Sequence, residues 1–214
     1  IGGASSDQAT DIVPTSSGFA VLGNTGPPHG SSAVSPWVLR IDALGRVLSQ
    51  TVVGSDEWES VHGGAAVGED IVLAGSTTVE GGATDVWAAR LDAHDQIAWQ
   101  LRAGGAEADE ALHVVATGSG FVVVGQTRSF VKGPVGDIDL WVLALSSNGE
   151  VRWQWALGGT DVDRPEHVAK TGDGGLLIAG DTKSYGTGGH DGWLLKIHAT
   201  SGDVIWQRAY GGAK

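Results

Sequence analysis

Apolar positions along this chain come in short dense runs, and one kind of run recurs four times. FAVLGNT (19–25), IVLAGST (71–77), FVVVGQT (121–127) and LLIAGDT (176–182) are apolar at nearly every position and close on Gly-x-Thr. Runs this short, rich in Val, Ile and Leu and bounded by Gly, Asn, Asp or Ser, predict strands covered on both faces. A second set opens on tryptophan: WVLRID (37–42), WAARLD (87–92), WVLALS (141–146) and WLLKIH (193–198). These alternate more clearly and place Arg40, Arg90 and Lys196 in one column, which predicts a face turned to water. A first phrase precedes each apolar run, as in Asp109 to Val115. A fourth ends on Ser49-Gln50, Trp99-Gln100, Trp153-Gln154 and Trp206-Gln207. Short turns such as Ser16-Ser17-Gly18 and Gly118-Ser119-Gly120 supply the positive φ of tight hairpins.

The four phrases keep one order over segments of about 2–52, 53–103, 104–157 and 158–210. Four antiparallel strands per repeat of this length predict an all-β fold, a β-propeller of four blades forming a single domain over residues 1–214. A lone blade cannot bury both faces, so the blades must stack about an axis. The tryptophan columns suit the space between them. Trp58 and Trp155 fall outside both columns and are the candidates for exposed stacking residues.

Composition narrows the picture without redirecting it. The 35 glycines suit turn-rich β structure, and no apolar stretch is long enough for a membrane-spanning helix. A formal charge of −12 argues against nucleic acid and anionic membrane as partners. There is no cysteine, which excludes disulfides, thiolate catalysis and zinc-thiolate sites. Translation cannot begin at Ile1, so the sequence as given follows processing, such as signal removal, or excision from something longer.

The phrases Asp109-Glu110-Ala111, Asp173-Gly174-Gly175, Ala179-Gly180-Asp181-Thr182, Asp139-Leu140-Trp141 and Trp153-Gln154 resemble a bacterial and archaeal propeller-repeat family. Stretches 91–100 and 198–207 resemble the tryptophan-docking corner of quinoprotein-like propellers. The resemblance covers essentially the whole chain. It implies the fold and a secreted, periplasmic or cell-surface setting, and it implies no activity, because such repeats are scaffolds for grafted sites. Two departures stand out: Ser49 replaces the docking tryptophan, and Trp58 falls in the slot of Asp7, Asp109 and Asp163. Pyrroloquinoline quinone is not expected, since the adjacent cysteine pair is absent and no calcium–quinone ligand set can be mapped.

Counting eight residues from Gly3, Gly54, Gly105 and Gly159 gives Asp11, His62, His113 and His167. On innermost strands such a column becomes a ring about the axis. Three imidazoles and one carboxylate suit a transition metal (Zn, Cu, Ni, Fe or Mn) if the side chains converge. The competing reading is that they bond to neighbouring backbone or to channel water. Asp85, Asp139 and Asp191 each stand two residues before a tryptophan, where they serve as ligand-binding candidates or turn-fixing acceptors. The variable loops between strands two and three share one face and carry His29, Phe130, Lys132, Tyr185 and His190.

No nucleophile–base pair or phosphate loop emerges. The expected function is therefore a non-catalytic binding or scaffold module for a protein or carbohydrate, with a metal held in the channel. The alternatives are a metalloenzyme on the propeller axis and a lectin-like module. Closure is open at this point: four blades can close within one chain, or a homodimer can complete a larger ring.

Overall fold

The computed structural model describes residues 6–26, 34–54, 58–78, 82–134 and 137–212. Blade 1 comprises β1 (Asp7–Pro14), β2 (Gly18–Thr25), β3 (Ser35–Asp42) and β4 (Val47–Val52). Blade 2 comprises β5 (Trp58–Val67), β6 (Asp70–Thr78), β7 (Thr84–Leu91) and β8 (Ile97–Ala103). Blade 3 comprises β9 (Asp109–Thr117), β10 (Gly120–Thr127), β11 (Asp139–Leu145) and β12 (Val151–Leu157). Blade 4 comprises β13 (Asp163–Lys170), β14 (Gly175–Thr182), β15 (Asp191–His198) and β16 (Val204–Tyr210). Each blade is a separate antiparallel sheet with its strands in chain order, and together they make a four-bladed all-β propeller.

Every first strand carries a bulge at the same level: one residue of β1, β5, β9 and β13 has no partner on the second strand. The bulge bends the inner strand and sets the local twist. Each third-to-fourth-strand corner turns on a left-handed residue: Gly45, Asp95, Gly149 or Gly202. Asp95 alone there is not glycine.

Three apolar clusters hold the blades together. Ala20, Leu22 and Val38 of blade 1 meet Ile71, Leu73, Trp87 and Leu91 of blade 2. Val72, Ala74 and Ala88 meet Phe121, Val123, Trp141 and Leu143 of blade 3. Val122, Val124 and Val142 meet Leu176, Ile178, Trp193 and Leu195 of blade 4. Among the described residues, no such cluster joins blade 4 back to blade 1. Trp37, Trp87, Trp141 and Trp193 are all buried, as wedges between sheets should be. A tryptophan buries about 150–250 Å², roughly 4–6 kcal/mol of transfer free energy at about 25 cal/mol per Å² before entropy is counted.

The water-facing side expected for the third strands is corrected. β7 and β11 are buried almost throughout, and Arg40 on β3 is 5% exposed. Only β15, on the last blade, keeps a clear alternation of buried and open positions. The physical reason is coverage. A following blade lies over the second face of β3, β7 and β11, and Arg40 spends its guanidinium there on Asp95 (2.7 Å), Glu69 O (2.8 Å) and Asp92 O (3.1 Å) of blade 2.

Candidate functional site

The register of the inner strands revises the column counted from sequence. Asp11 pairs with Leu22, His113 with Val124 and His167 with Ala179, whereas in blade 2 the equivalent partner Ala74 faces Gly63. His62 is the bulged residue, one place early, and corresponds to Thr10, Leu112 and Glu166. The same register moves the recurring acidic slot of blade 2. Glu59, not Trp58, lies opposite the threonine of Gly-x-Thr, as Asp109 lies opposite Thr127.

The column proves to be a seam between blades. Asp11 Oδ2 accepts the Gly64 N–H of blade 2 at 2.9 Å. His62 Nδ1 donates to Ala111 O of blade 3 at 2.8 Å, and His113 Nε2 donates to Glu166 O of blade 4 at 2.8 Å. A carbonyl only accepts, so each imidazole carries its proton on the bonded nitrogen. The His167 ring lies edge-on to His113, with centroids 4.9 Å apart. Among the described residues, no three His, Asp or Glu side chains are grouped so as to hold a metal ion. Asp11, His62 and His113 thus bond to the backbone of the next blade, and among the described residues the His167 side chain is met by the His113 ring.

The aspartates tie loops. Asp109 accepts from Thr127 Oγ1, Ser129 Oγ (2.7 Å) and Gly105 N (2.8 Å), and Asp163 repeats this with Thr182 and Gly159. Asp85, Asp139 and Asp191 press against Gly104, Gly158 and Gly211 at the ends of their own blades, where a Cβ would lie 2.0 Å or less from carboxylate oxygen. Asp191 Oδ2 also accepts Thr187 N at 2.9 Å. Burial, and secondarily the charge of Asp109, pushes the Asp85 carboxyl up.

Asp139 is pushed up to about 6, chiefly by burial; the Lys132 N–H opposes this, and Asp163 and Asp137 add to it. A carboxyl whose folded pKa exceeds its unfolded value is favoured by folding while protonated, so that contribution is lost as pH rises through 6. Asp139→Asn should therefore gain on wild type by about 1–3 kcal/mol between pH 4 and pH 8. Urea denaturation at both values measures it, and a difference that does not change with pH refutes it.

The loop-face residues have mixed fates. Tyr185 stacks on Trp193 and donates to Gly158 O at 2.9 Å, which makes it part of the frame. His190 Nδ1 lies 2.6 Å from Asp181 Oδ2 at the surface. Trp155 is half exposed, yet its indole N–H donates to Ser201 O of blade 4 at 3.1 Å. His29 lies outside the described residues.

Trp58 is different. It opens onto a polar cleft of about 260 Å³ between blades 2 and 3, with His62, Glu110, Gln126 and Arg128 around it. The cleft lies on the face that carries the second-to-third-strand connections. Gln126 Nε2 donates to Glu110 Oε2 at 2.7 Å, and Glu110 Oε1 is 3.4 Å from His62 Nδ1. Carboxylate, amide and imidazole thus fix one another's orientation beside an indole and a guanidinium. Sequence reasoning missed Glu110, Gln126 and Arg128. A signal existed: the middle residue of Gly-x-Thr is Asn24, Ser76, Gln126 or Asp181, a polar column in an otherwise apolar strand. In blade 1 that position is structural, since Asn24 bonds both ways to the Val61 backbone at 2.8 and 2.9 Å. A larger hollow of about 370 Å³ between the hairpins of blades 3 and 4 is lined mainly by glycines, threonines and alanines and gathers no comparable chemistry.

No protein-family model matches the sequence, and no curated protein does. Among solved structures, the chain is similar to the hemagglutinin-neuraminidase ectodomain of parainfluenza virus 5, with a TM-score of 0.61 at 8% identity. That match covers 96% of this chain and 56% of the viral one. A structure of the same viral protein with the ligand DANA gives 0.59 at 9% identity, over 92% and 59%. A periplasmic gluconolactonase of Pseudomonas aeruginosa gives 0.44 at 12%, over 95% and 72%. The likeness to the viral structures is one of fold, and this chain spans somewhat more than half of their length.

Proposed function

We propose that this chain is a non-catalytic propeller module that binds a small hydroxylated ligand, of carbohydrate type, in the cleft between blades 2 and 3. The observation that carries the reading is the company Trp58 keeps. An aromatic face stands beside a carboxylate, an amide, an imidazole and a guanidinium whose positions are fixed from two rigid sheets. Sugar rings present apolar CH faces and many hydroxyls, and a site for them needs a flat aromatic surface with oriented donors and acceptors. Three of the four residues that would perform catalysis on the axis, Asp11, His62 and His113, are engaged in bonding one blade to the next. The setting proposed is secreted, periplasmic or cell-surface, and it rests on the repeat resemblance.

A glycan array followed by calorimetric titration of the best hit tests this. Trp58→Ala should weaken binding at least tenfold, and Gln126→Ala should weaken it less, with the melting temperature of Trp58→Ala within a few degrees of wild type. No hit on the array, or a hit indifferent to Trp58, would sink the proposal.

A further inference from the structure

Two of the three junctions between blades share one device. Trp99 of blade 2 donates its indole N–H to Ser147 O at the corner of blade 3, at 3.0 Å. Trp153 of blade 3 does the same to Thr200 O at the corner of blade 4, at 2.7 Å. In both corners the acceptor stands two residues before a left-handed glycine, and the indole lies on that glycine. A Cβ on Gly149 would meet the Trp99 ring at 2.6 Å, and one on Gly202 would meet Trp155 at 2.4 Å and Trp153 at 2.7 Å. Tryptophan in one blade therefore requires glycine in the next.

The remaining junction shows the converse. Blade 1 offers Ser49 in place of tryptophan, and the corner of blade 2 carries Asp95 in place of glycine. The carboxylate fills the seat and accepts from Ser49 Oγ at 3.0 Å. The identity of the corner residue thus reports which kind of neighbour it receives.

Two members of this code have no counterpart among the described residues. Trp206 of blade 4 is of the docking kind, but it lies exposed, with Arg208 of its own strand over the ring. The corner of blade 1 is of the receiving kind: Gly45 has φ +77°, nothing lies within 4 Å of a Cβ there, and the adjacent Leu44 is 80% exposed. The inner seam repeats the pattern. His113 donates to the bulge residue of β13, while the His167 side chain, which would donate to Thr10 O of β1, makes no hydrogen bond among the described residues.

We propose that blade 4 of one copy docks on blade 1 of a second copy, and the reverse, so that two chains share one ring. Trp206 seats on Gly45 of the other copy and donates to its Ala43 O. The interface continues the one already built twice within the chain, and a two-fold axis along the ring closes both junctions.

Light scattering behind size exclusion tests it. Wild type should elute at the mass of two chains. Trp206→Ala and Gly45→Asn should each elute at the mass of one, with wild-type circular dichroism; asparagine tolerates the left-handed corner while filling the seat. An equimolar mixture of the two variants retains one intact Trp206–Gly45 junction and should recover dimer. A single-chain mass for wild type at tens of micromolar overturns the proposal, and so does a dimer that neither substitution weakens.

Discussion

Asp95→Asn should cost about 3–5 kcal/mol of stability, the loss expected when one partner of a buried ion pair is removed and the other charge stays behind. Arg40 and Asp95 have side chains only 6% and 3% exposed, and their 2.7 Å contact crosses from blade 1 to blade 2. Asp95 also accepts from Ser49 at 3.0 Å and Thr51 at 3.2 Å, so one carboxylate organises three donors of the neighbouring blade. Asparagine keeps the volume and tolerates the φ of 60° at this corner, which isolates the charge from backbone effects. Adding Arg40→Met should restore most of the loss, because the one carboxylate it leaves behind, Glu69 at 3.6 Å, is a third exposed and can be solvated. Urea denaturation reads both. A single-variant loss below about 1 kcal/mol, the range of a surface pair, would show the pair to be solvated.

Gly125→Ala should cost about 3 kcal/mol or more, at the upper end for overpacking, because the obstruction is backbone rather than a movable side chain. A Cβ at Gly125 would lie 1.9 Å from Glu110 O and 2.8 Å from Ala111 Cα. This is the glycine of Gly-x-Thr, opposite the bulge of β9 on one side and Trp141 on the other. Moving β9 to make room shifts Glu110, so ligand affinity should fall together with stability. Gly118→Ala is the control: nothing lies within 4 Å of a Cβ there, and the change should stay within about 0.5 kcal/mol of wild type. Equal losses at the two positions would show that glycine's chain entropy, not space, sets the cost.

Much of the fold was legible along the chain because the relevant signals are local. A run such as FVVVGQT has only one use at its length and polarity, and the glycines at hairpins and corners announce positive φ. The tryptophans read as core, and the four that open the third-strand phrases are buried, whereas Trp206 of the other column is exposed. The candidate site was less legible, and Glu59 shows why. Spacing placed Trp58 in the slot of Asp7, Asp109 and Asp163, but pairing sets the register, and blade 2 has one residue more between Gly54 and Glu59 than blade 3 has between Gly105 and Asp109. The same shift took His62 out of the ring and left Gly63 in it. Arg40 is the second case. Its alternation with apolar neighbours is the pattern of a solvated face, and only the arrival of blade 2 with Asp95 turns that face into an interior.

Sequence by itself determined the repeat, the strands, the turn positions and the tryptophan wedges, because each depends on a period or a dihedral preference carried within a few residues. Tertiary structure alone decided which polar groups face one another across the blade seams. Those meetings join residues some 50 positions apart, and the inner-strand bulges and the order of stacking bring them within hydrogen-bond distance. The cleft at Trp58 and the unfilled seat at Gly45 both belong to that second kind.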